Sequence, residues 1–475
     1  MRRIEVVLVV FGISVLAYLY GVASTRKGWF PTTVVEQGWI AAKALEEVWE
    51  GEAGLPPRAI ELVDAEPMRL RPSDGAPPRA PTPSDDLLLI SGGPFKLMDF
   101  CPELGCLAWL MDRNGTVYHA WPIDPALEWG ENLSGYAGVE SLFPAGGHVY
   151  DNGDIVMVFH GHNTFPFGAG IARFDRNGRL LWKNEINAHH WFDIDDAGLI
   201  HTPAHRLLDS PVQLGDTGQE LTCEDGKIYE DLIVTLDPDG KIVDEMSLLD
   251  VYIASGYAGL LELARKDCDP LHLNDVRVLK AEDADAYPDF AVGDILVSTH
   301  AINTIAVIDR ATRRIKWLTS GTMIAQHSPR FAGHNRILAF DNRGGARIDG
   351  QGGSRIVSID VASERTETIF PPLDSPPSLN FFSDVAGVID LHRSSTRALV
   401  SLYDQGRVLE IDLATGDLLW EYDNVHDISA YRSDDDEAAP SYARFDINSA
   451  YYVPWPAFLQ RPVARAEPAG HARAD

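Results

Sequence analysis

The feature that most constrains this chain is a short element that recurs six times. An apolar strand ends in Asp, a tight turn follows, and a second strand often ends in Trp. The copies are Leu110-Met-Asp-Arg-Asn-Gly115, Phe174-Asp-Arg-Asn-Gly-Arg-Leu-Leu-Trp182, Leu236-Asp-Pro-Asp-Gly-Lys-Ile-Val243, Ile308-Asp-Arg-Ala-Thr-Arg-Arg-Ile-Lys-Trp317, Ile359-Asp-Val-Ala-Ser-Glu364 and Ile411-Asp-Leu-Ala-Thr-Gly-Asp-Leu-Leu-Trp420. Their aspartates, Asp112, Asp175, Asp237, Asp309, Asp360 and Asp412, are spaced by 63, 62, 72, 51 and 52 residues. A repeat of roughly 40–50 residues built from four short strands is the signature of a propeller blade, and longer spacings imply loop insertions. In the turn, Asp caps the bend and Gly supplies positive φ. A second turn element recurs at Asp151–Val156, Asp195–Ile200, Val292–Val297 and Gly333–Leu338. The expectation is an all-β chain, a six-bladed β-propeller over residues 87–460, whose radial repetition protects sheet edges. The competing architecture is a pair of β-sandwiches.

The chain has 475 residues, 45% of them apolar, which excludes a disordered protein. Its formal charge of −30 argues against nucleic acid, whose phosphates need clustered Lys and Arg. A small anionic substrate stays compatible, because a site sets its own local field. The four cysteines contain no C-x-x-C. Cys101–Cys106 and Cys223–Cys268 are the natural pairs in an exported body; other pairings and free buried thiols stay open.

Arg2 and Arg3 precede Ile4–Ala23, twenty mostly apolar residues, long enough to span a bilayer. This predicts a transmembrane signal anchor over residues 1–25, with the body on the periplasmic, extracytoplasmic side of the membrane. Val35, Ile40, Ala44, Leu45 and Val48 give Val34–Glu50 the spacing of an amphipathic helix. A stretch with eight prolines, Leu55–Asp86, then reads as a linker or a strap across the body. Arg432–Glu437 reads as a solvated acidic loop, and residues 461–475 as a disordered tail.

Three units share a further pattern: His190-Trp-Phe-Asp-Ile194, His272-Leu-Asn-Asp-Val276 and His327-Ser-Pro-Arg-Phe331. Equivalent positions in different blades sit at one height around the axis, so three imidazoles should converge. Three histidines can also hold a divalent ion. However, Asp193 and Asp275 stand three residues past their histidines, which on a strand turns them to the opposite face. No metal is therefore assigned to this trio.

Several segments resemble the bacterial arylsulfate sulfotransferase family. They are Gly115–Trp121, the three histidine segments, Asn303–Asp309, Gln326-His-Ser-Pro329, Ile337–Asn342 and Gly353–Val357. The resemblance covers about Leu110 to Trp420. It implies an exported six-bladed propeller that moves a sulfuryl group from an aryl sulfate donor to a phenolic acceptor, with no nucleotide donor and no cofactor. It implies His327 as the nucleophile, and His272 and His190 as partners, with His189 the alternative register for His190. One position departs from the pattern: His300 stands where the family has arginine. Arginine is a fixed cation with a planar donor fork; histidine is neutral for much of the physiological range. His300 is either a fourth donor or a neutral hydrogen-bonding group.

On this reading neutral His327 attacks sulfur, a sulfohistidine forms, and a phenol then attacks it, with ping-pong kinetics. His272, His190 and His300 donate to the sulfuryl oxygens or move the phenolic proton. Asn303 and Arg330 are candidate substrate-binding residues. The contrasting expectation is a non-catalytic, membrane-anchored propeller that serves as a binding or assembly scaffold. Oligomeric state stays open.

Overall fold

The computed structural model describes residues 20–21, 59–64, 69–72, 86–93, 108–122, 142–161, 168–224, 226–345, 348, 353–429 and 440–459. The chain divides into two compact units: Met1–Pro57 with Ser429–Ala439, and Arg58–Ile428 with Pro440–Asp475. All that follows concerns the second. The helix Val34–Glu50, the Cys101–Cys106 pair, the acidic loop and the tail lie outside the described residues, as does the apolar run Ile4–Ala23 apart from Tyr20 and Gly21. Among the described residues no helix is long and apolar enough to cross a membrane.

The second unit is all-β and propeller-like. Six antiparallel sheets each have a four-strand core. The first holds Leu142–Val149, Ile155–Gly161, Gly168–Phe174 and Leu180–Asn184. The second holds Asp193–Ile194, Ile200–Asp209, Lys227–Leu236 and Ile242–Ser247, and the third holds Leu273–Val278, Ile295–Thr299, Thr304–Asp309 and Arg314–Ser320. The fourth runs His327–Phe331, Arg336–Asp341, Arg355–Asp360 and Thr366–Phe370, and the fifth Val388–Leu391, Arg397–Leu402, Arg407–Asp412 and Leu418–Asp423. The sixth joins the two ends of the chain: Ile447–Val453 pairs with Leu87–Gly92, which continues to Ala108–Met111 and Val117–Ala120.

All six repeat aspartates sit at the turn from the third to the fourth strand. Asp112 Oδ1 accepts from the N–H groups of Asn114 and Thr116 at 2.8 and 3.0 Å, and Asp237 Oδ1 does so from Asp239 and Lys241 at 3.0 and 2.9 Å. Gly240 takes φ 81°, and a Cβ there would strike the Trp182 ring of the preceding sheet at 2.5 Å. The repeat Trp explains this crowding. Trp182 Nε1 donates to Pro238 O at 3.1 Å, Trp317 Nε1 to Val361 O at 3.0 Å, and Trp420 Nε1 to Arg113 O at 3.0 Å. Each acceptor lies in the Asp turn of the next sheet. Asp turn and Trp strand are thus two halves of one clasp between neighbouring sheets.

Buried apolar clusters fill the gaps between successive sheets. Val158, Ile171 and Ile200 join the first to the second, Met246 and Val276 the second to the third, and Val307 and Ile337 the third to the fourth. Phe340 and Ile389 join the fourth to the fifth, Leu399 and Trp109 the fifth to the sixth, and Leu89 and Ile155 the sixth back to the first. Alternation sends one set of side chains to each neighbouring sheet, so inner strands such as Ile155–Gly161 and Thr304–Asp309 are buried on both faces, while fourth strands such as Ile242–Ser247 are largely exposed.

The long repeat spacings mark insertions. The second sheet carries the small ribbon Val212–Gln213 with Glu220–Leu221, and the helix Leu248–Ala254, capped by Ser247, fills the link to the third. Cys223 and Cys268 form a disulfide with Cα atoms 4.8 Å apart. Two pieces of the proline-rich stretch are strands: Ala59–Val63 pairs with Tyr442–Phe445, and Arg69–Pro72 adds a fifth strand to the edge of the fifth sheet. Proline lacks the N–H of a central strand, and an edge position tolerates it.

Candidate active site

Residues at or just before the start of first strands, and in the first, third and fifth sheets also at the end of the second, face a common space. From them comes a cavity of about 300 Å³ lined by Phe143, Ala145, His160, His190, Trp191, His272, His300, His327, Val385, Ala386, Tyr403 and Asn448. All four histidines expected at the site meet here. The His190 ring centre lies 5.3 Å from that of His272 and 6.2 Å from that of His327; His300 lies 5.0 Å from His272 and 5.3 Å from His327. His190 and His272 both have left-handed backbones, φ 54° and 51°. Non-glycine residues adopt this region at a cost, and such strain gathers at functional sites.

His327 opens the first strand of the fourth sheet. Its Nδ1 is 2.8 Å from Asn342 Oδ1 and 3.1 Å from Ala325 O. Asn342 is itself fixed, because its Nδ2 donates to Ser383 O and Ala386 O at 2.9 and 2.8 Å. With two acceptors facing Nδ1, that nitrogen carries the proton, and the Nε2 lone pair is the one available for chemistry. Burial, helped by the nearby charge of His272 and only partly offset by the hydrogen bond to Asn342, brings His327 down to about 4, so the ring is neutral at pH 7. Burial and the neighbouring His327 and His272 push His300 down to about 2, and burial with the charges of His205 and His272 takes His160 to about 3.

His272 is the exception. Burial opposes its charge, but the Asp269 carboxylate, 2.7 Å from Nδ1, overrides this and raises its pKa. None of the described residues that line the cavity is Lys or Arg, and His272 is the lining histidine whose cationic form its surroundings favour. The loop carrying Asp269 and His272 is tied to the second sheet by the Cys223–Cys268 disulfide and by Tyr229 N–H donating to Cys268 O at 2.7 Å.

The remaining candidates lie away from the cavity wall. Asn303 Oδ1 accepts from Ala325 N–H at 2.7 Å, so it fixes the segment leading into His327. Arg330 points away from the cavity and donates from Nη1 to Asp275 Oδ2 at 2.7 Å. It is buried within this ion pair, and its offset of three from His327 turns it to the other face of the strand. His189, the alternative to His190, sits behind it, its Nδ1 2.7 Å from His190 Nδ1.

Sequence reasoning missed His160, whose Nε2 accepts the backbone N–H of His190. The signal was present: His160 stands near the end of the second strand Ile155–Gly161, as His300 stands just past the end of Ile295–Thr299. Trp191 was also missed. Its Nε1 donates to Ala145 O at 2.8 Å, holding the ring 6.1 Å from that of His327 as an aromatic wall. Phe143 and Tyr403, ring centres 6.4 Å apart, form the opposing aromatic pair. A pocket with aromatic walls and a floor of imidazoles suits an aryl group that carries an anion.

The fold and this histidine floor define a propeller-like protein with a histidine-rich, aromatic-walled pocket. The chain belongs to the arylsulfotransferase family: the family described as arylsulfotransferase (ASST) matches residues 148–425. Membership supports aryl sulfotransferase activity in general, with aryl sulfates and phenols as substrates. No curated protein matches the chain. Among solved structures, a protein of unknown function from Bacteroides caccae is 10% identical, over 78% of this chain and 99% of that one, with a TM-score of 0.44. TolB from Acinetobacter baumannii is 7% identical, over 78% of this chain and 66% of that one, with a TM-score of 0.40. The Cps50 (Swd1) β-propeller domain of Myceliophteria thermophila is 10% identical, over 74% and 88%, with a TM-score of 0.35. Likenesses this distant say nothing about chemistry.

Proposed function

We propose that this chain moves a sulfuryl group from an aryl sulfate to a phenol through a sulfohistidine on His327, at the mouth of a closed six-bladed propeller. One observation carries the reading: the neutral His327 ring, held through Nδ1 by Asn342 and Ala325, stands among three further imidazoles. In the first step the Nε2 lone pair forms an N–S bond as the aryl O–S bond breaks. The electron pair leaves with the phenolate, and the His272 imidazolium supplies its proton. In the second step an acceptor phenol returns a proton to His272, its oxygen bonds to sulfur, and the N–S electrons return to His327. The N–H groups of His190 and His300 donate to the sulfuryl oxygens. Asn303 acts at one remove, through the Ala325 segment.

The sixth sheet, in which the last strand pairs with the first strands of the body, supports ring closure. The Cys223–Cys268 disulfide supports an oxidising, extracytoplasmic compartment, and Ile4–Ala23 is the segment that would anchor the body to the membrane there. The scaffold reading draws on the lack of Arg and Lys among the described lining residues.

The test is release of p-nitrophenol from p-nitrophenyl sulfate with added phenol, by the intact chain and by His327→Ala. Donor alone should leave the intact chain heavier by one SO3 on His327. No turnover across a panel of donors and acceptors would favour the scaffold.

A further inference from the structure

Behind the histidine floor lies a second group of metal-ligating side chains. His205, on Ile200–Asp209, stands directly opposite Asp231, on the neighbouring strand Lys227–Leu236. His189 comes alongside from the segment before His190, its N–H donating to Pro203 O at 3.1 Å, and its ring stacks on His205 with centres 3.9 Å apart. One ligand atom from each of the three lies within 4.8 Å of the others, and all three side chains are buried.

We propose that His189, His205 and Asp231 form a divalent transition-metal site of the zinc class. The distances support it. Asp231 Oδ1 is 3.2 Å from His205 Nε2 and 3.7 Å from His189 Nε2. Ligand atoms around a tetrahedral zinc with bonds of about 2.0–2.1 Å stand roughly 3.3 Å apart. The other carboxylate oxygen, Oδ2, accepts Leu273 N–H at 3.1 Å, which orients Oδ1 toward the rings.

Charge supports it independently. Asp231 and the adjacent Asp269 are two carboxylates in one interior patch, and among the described residues no Lys or Arg forms an ion pair with either. Their ion-pair partners among the described residues are imidazoles. A buried carboxylate pair of this kind calls for a cation, and two neutral imidazoles with one carboxylate make a zinc-type donor set.

The site also reaches the cavity. A metal on His189 Nε2 requires the proton of that ring to sit on Nδ1, which is 2.7 Å from His190 Nδ1. His190 Nδ1 then accepts, and the proton of neutral His190 sits on Nε2. The metal would therefore set the tautomer of a histidine in the transfer site without touching substrate.

The test is metal content and binding, read without any activity assay. The intact chain, purified without chelators and dialysed against Zn2+, should carry one tightly held metal per chain by elemental analysis. Co2+ in its place should give the visible absorption of a low-coordinate site. His205→Gln and Asp231→Asn should weaken Zn2+ binding by more than about 100-fold, beyond the 10–100-fold that follows loss of an outer partner. His201→Gln, another buried histidine on the same strand, should bind like the intact chain. If His205→Gln does not fold, Asp231→Asn and the intact chain decide. An intact chain that takes up no Zn2+, or Zn2+ binding unaltered by Asp231→Asn, overturns the proposal, whether or not the chain transfers sulfuryl groups.

Discussion

The side-chain amide of Asn342 holds the imidazole of His327 by its Nδ1, at 2.8 Å, from the adjacent strand of the same sheet. Because two carbonyls fix the amide, the contact determines both the angle of the ring and which nitrogen stays bare. His327→Ala should abolish sulfuryl transfer. Asn342→Ala should lower kcat by about 10²-fold through misplacement of the nucleophile, with a smaller change in KM. A raised KM with kcat unchanged would mean that Asn342 serves substrate binding instead.

The pKa of His327 sets the acid limb. The groups around it are His190, His272 and His300 in the cavity and Arg343 beyond Asn342. With His327 at about 4, the nucleophile stays neutral well below the ordinary histidine range. The rate of enzyme sulfation, measured in single turnover, should hold as pH falls through 6.5 and decline near 4. A decline centred on 6.5 would contradict this.

Stability should move the opposite way over the same interval. His327, His300 and His160 have pKa values lowered in the folded state to about 4, 2 and 3. Between these values and about 6.5 the unfolded chain binds more protons than the folded one. Stability is therefore fully present above about 6.5 and is lost as pH falls toward the folded values. The melting temperature should drop steadily from pH 7 to pH 4, and less so in His300→Gln.

His300 occupies the place of the family's arginine. A guanidinium there would add a fixed cation to a wall whose charge rests on His272. His300→Arg should lower KM for p-nitrophenyl sulfate by about 10-fold, the lower end of a charged hydrogen bond worth about 1.5–3 kcal/mol. An unchanged KM would show that His300 does not face the sulfate.

The clasp between sheets is separable from the site. Trp420→Phe keeps the buried ring but removes the donor to Arg113 O. It should destabilise the chain by about 1 kcal/mol in denaturant unfolding, with transfer kinetics unaltered.

Much of this architecture was legible because the Asp turn is a local device repeated six times, three of them with a following Trp strand. Their spacing reported the sheets, and the long intervals around Asp237 implied loop insertions, one of which holds the helix Leu248–Ala254. The convergence of His190, His272 and His327 followed from register alone. Arg330 shares the strand of His327, but alternation turns it toward Asp275. His160 was passed over because it ends a second strand, whereas the visible pattern marked first strands. The His205–Asp231 pair could not be read at all. It depends on the register of two ten-residue strands separated by an insertion, and no local pattern encodes that.

The strand Ile447–Val453 carries Asn448 into the cavity wall and pairs with Leu87–Gly92 from the other end of the body. During synthesis that strand emerges after every histidine of the floor. A growing chain can stack its middle sheets early, yet its pocket stays one wall short until that strand has emerged. A truncated product of a ribosome that stalls before residue 447 would hold all the reactive side chains and still have no enclosed place for a substrate.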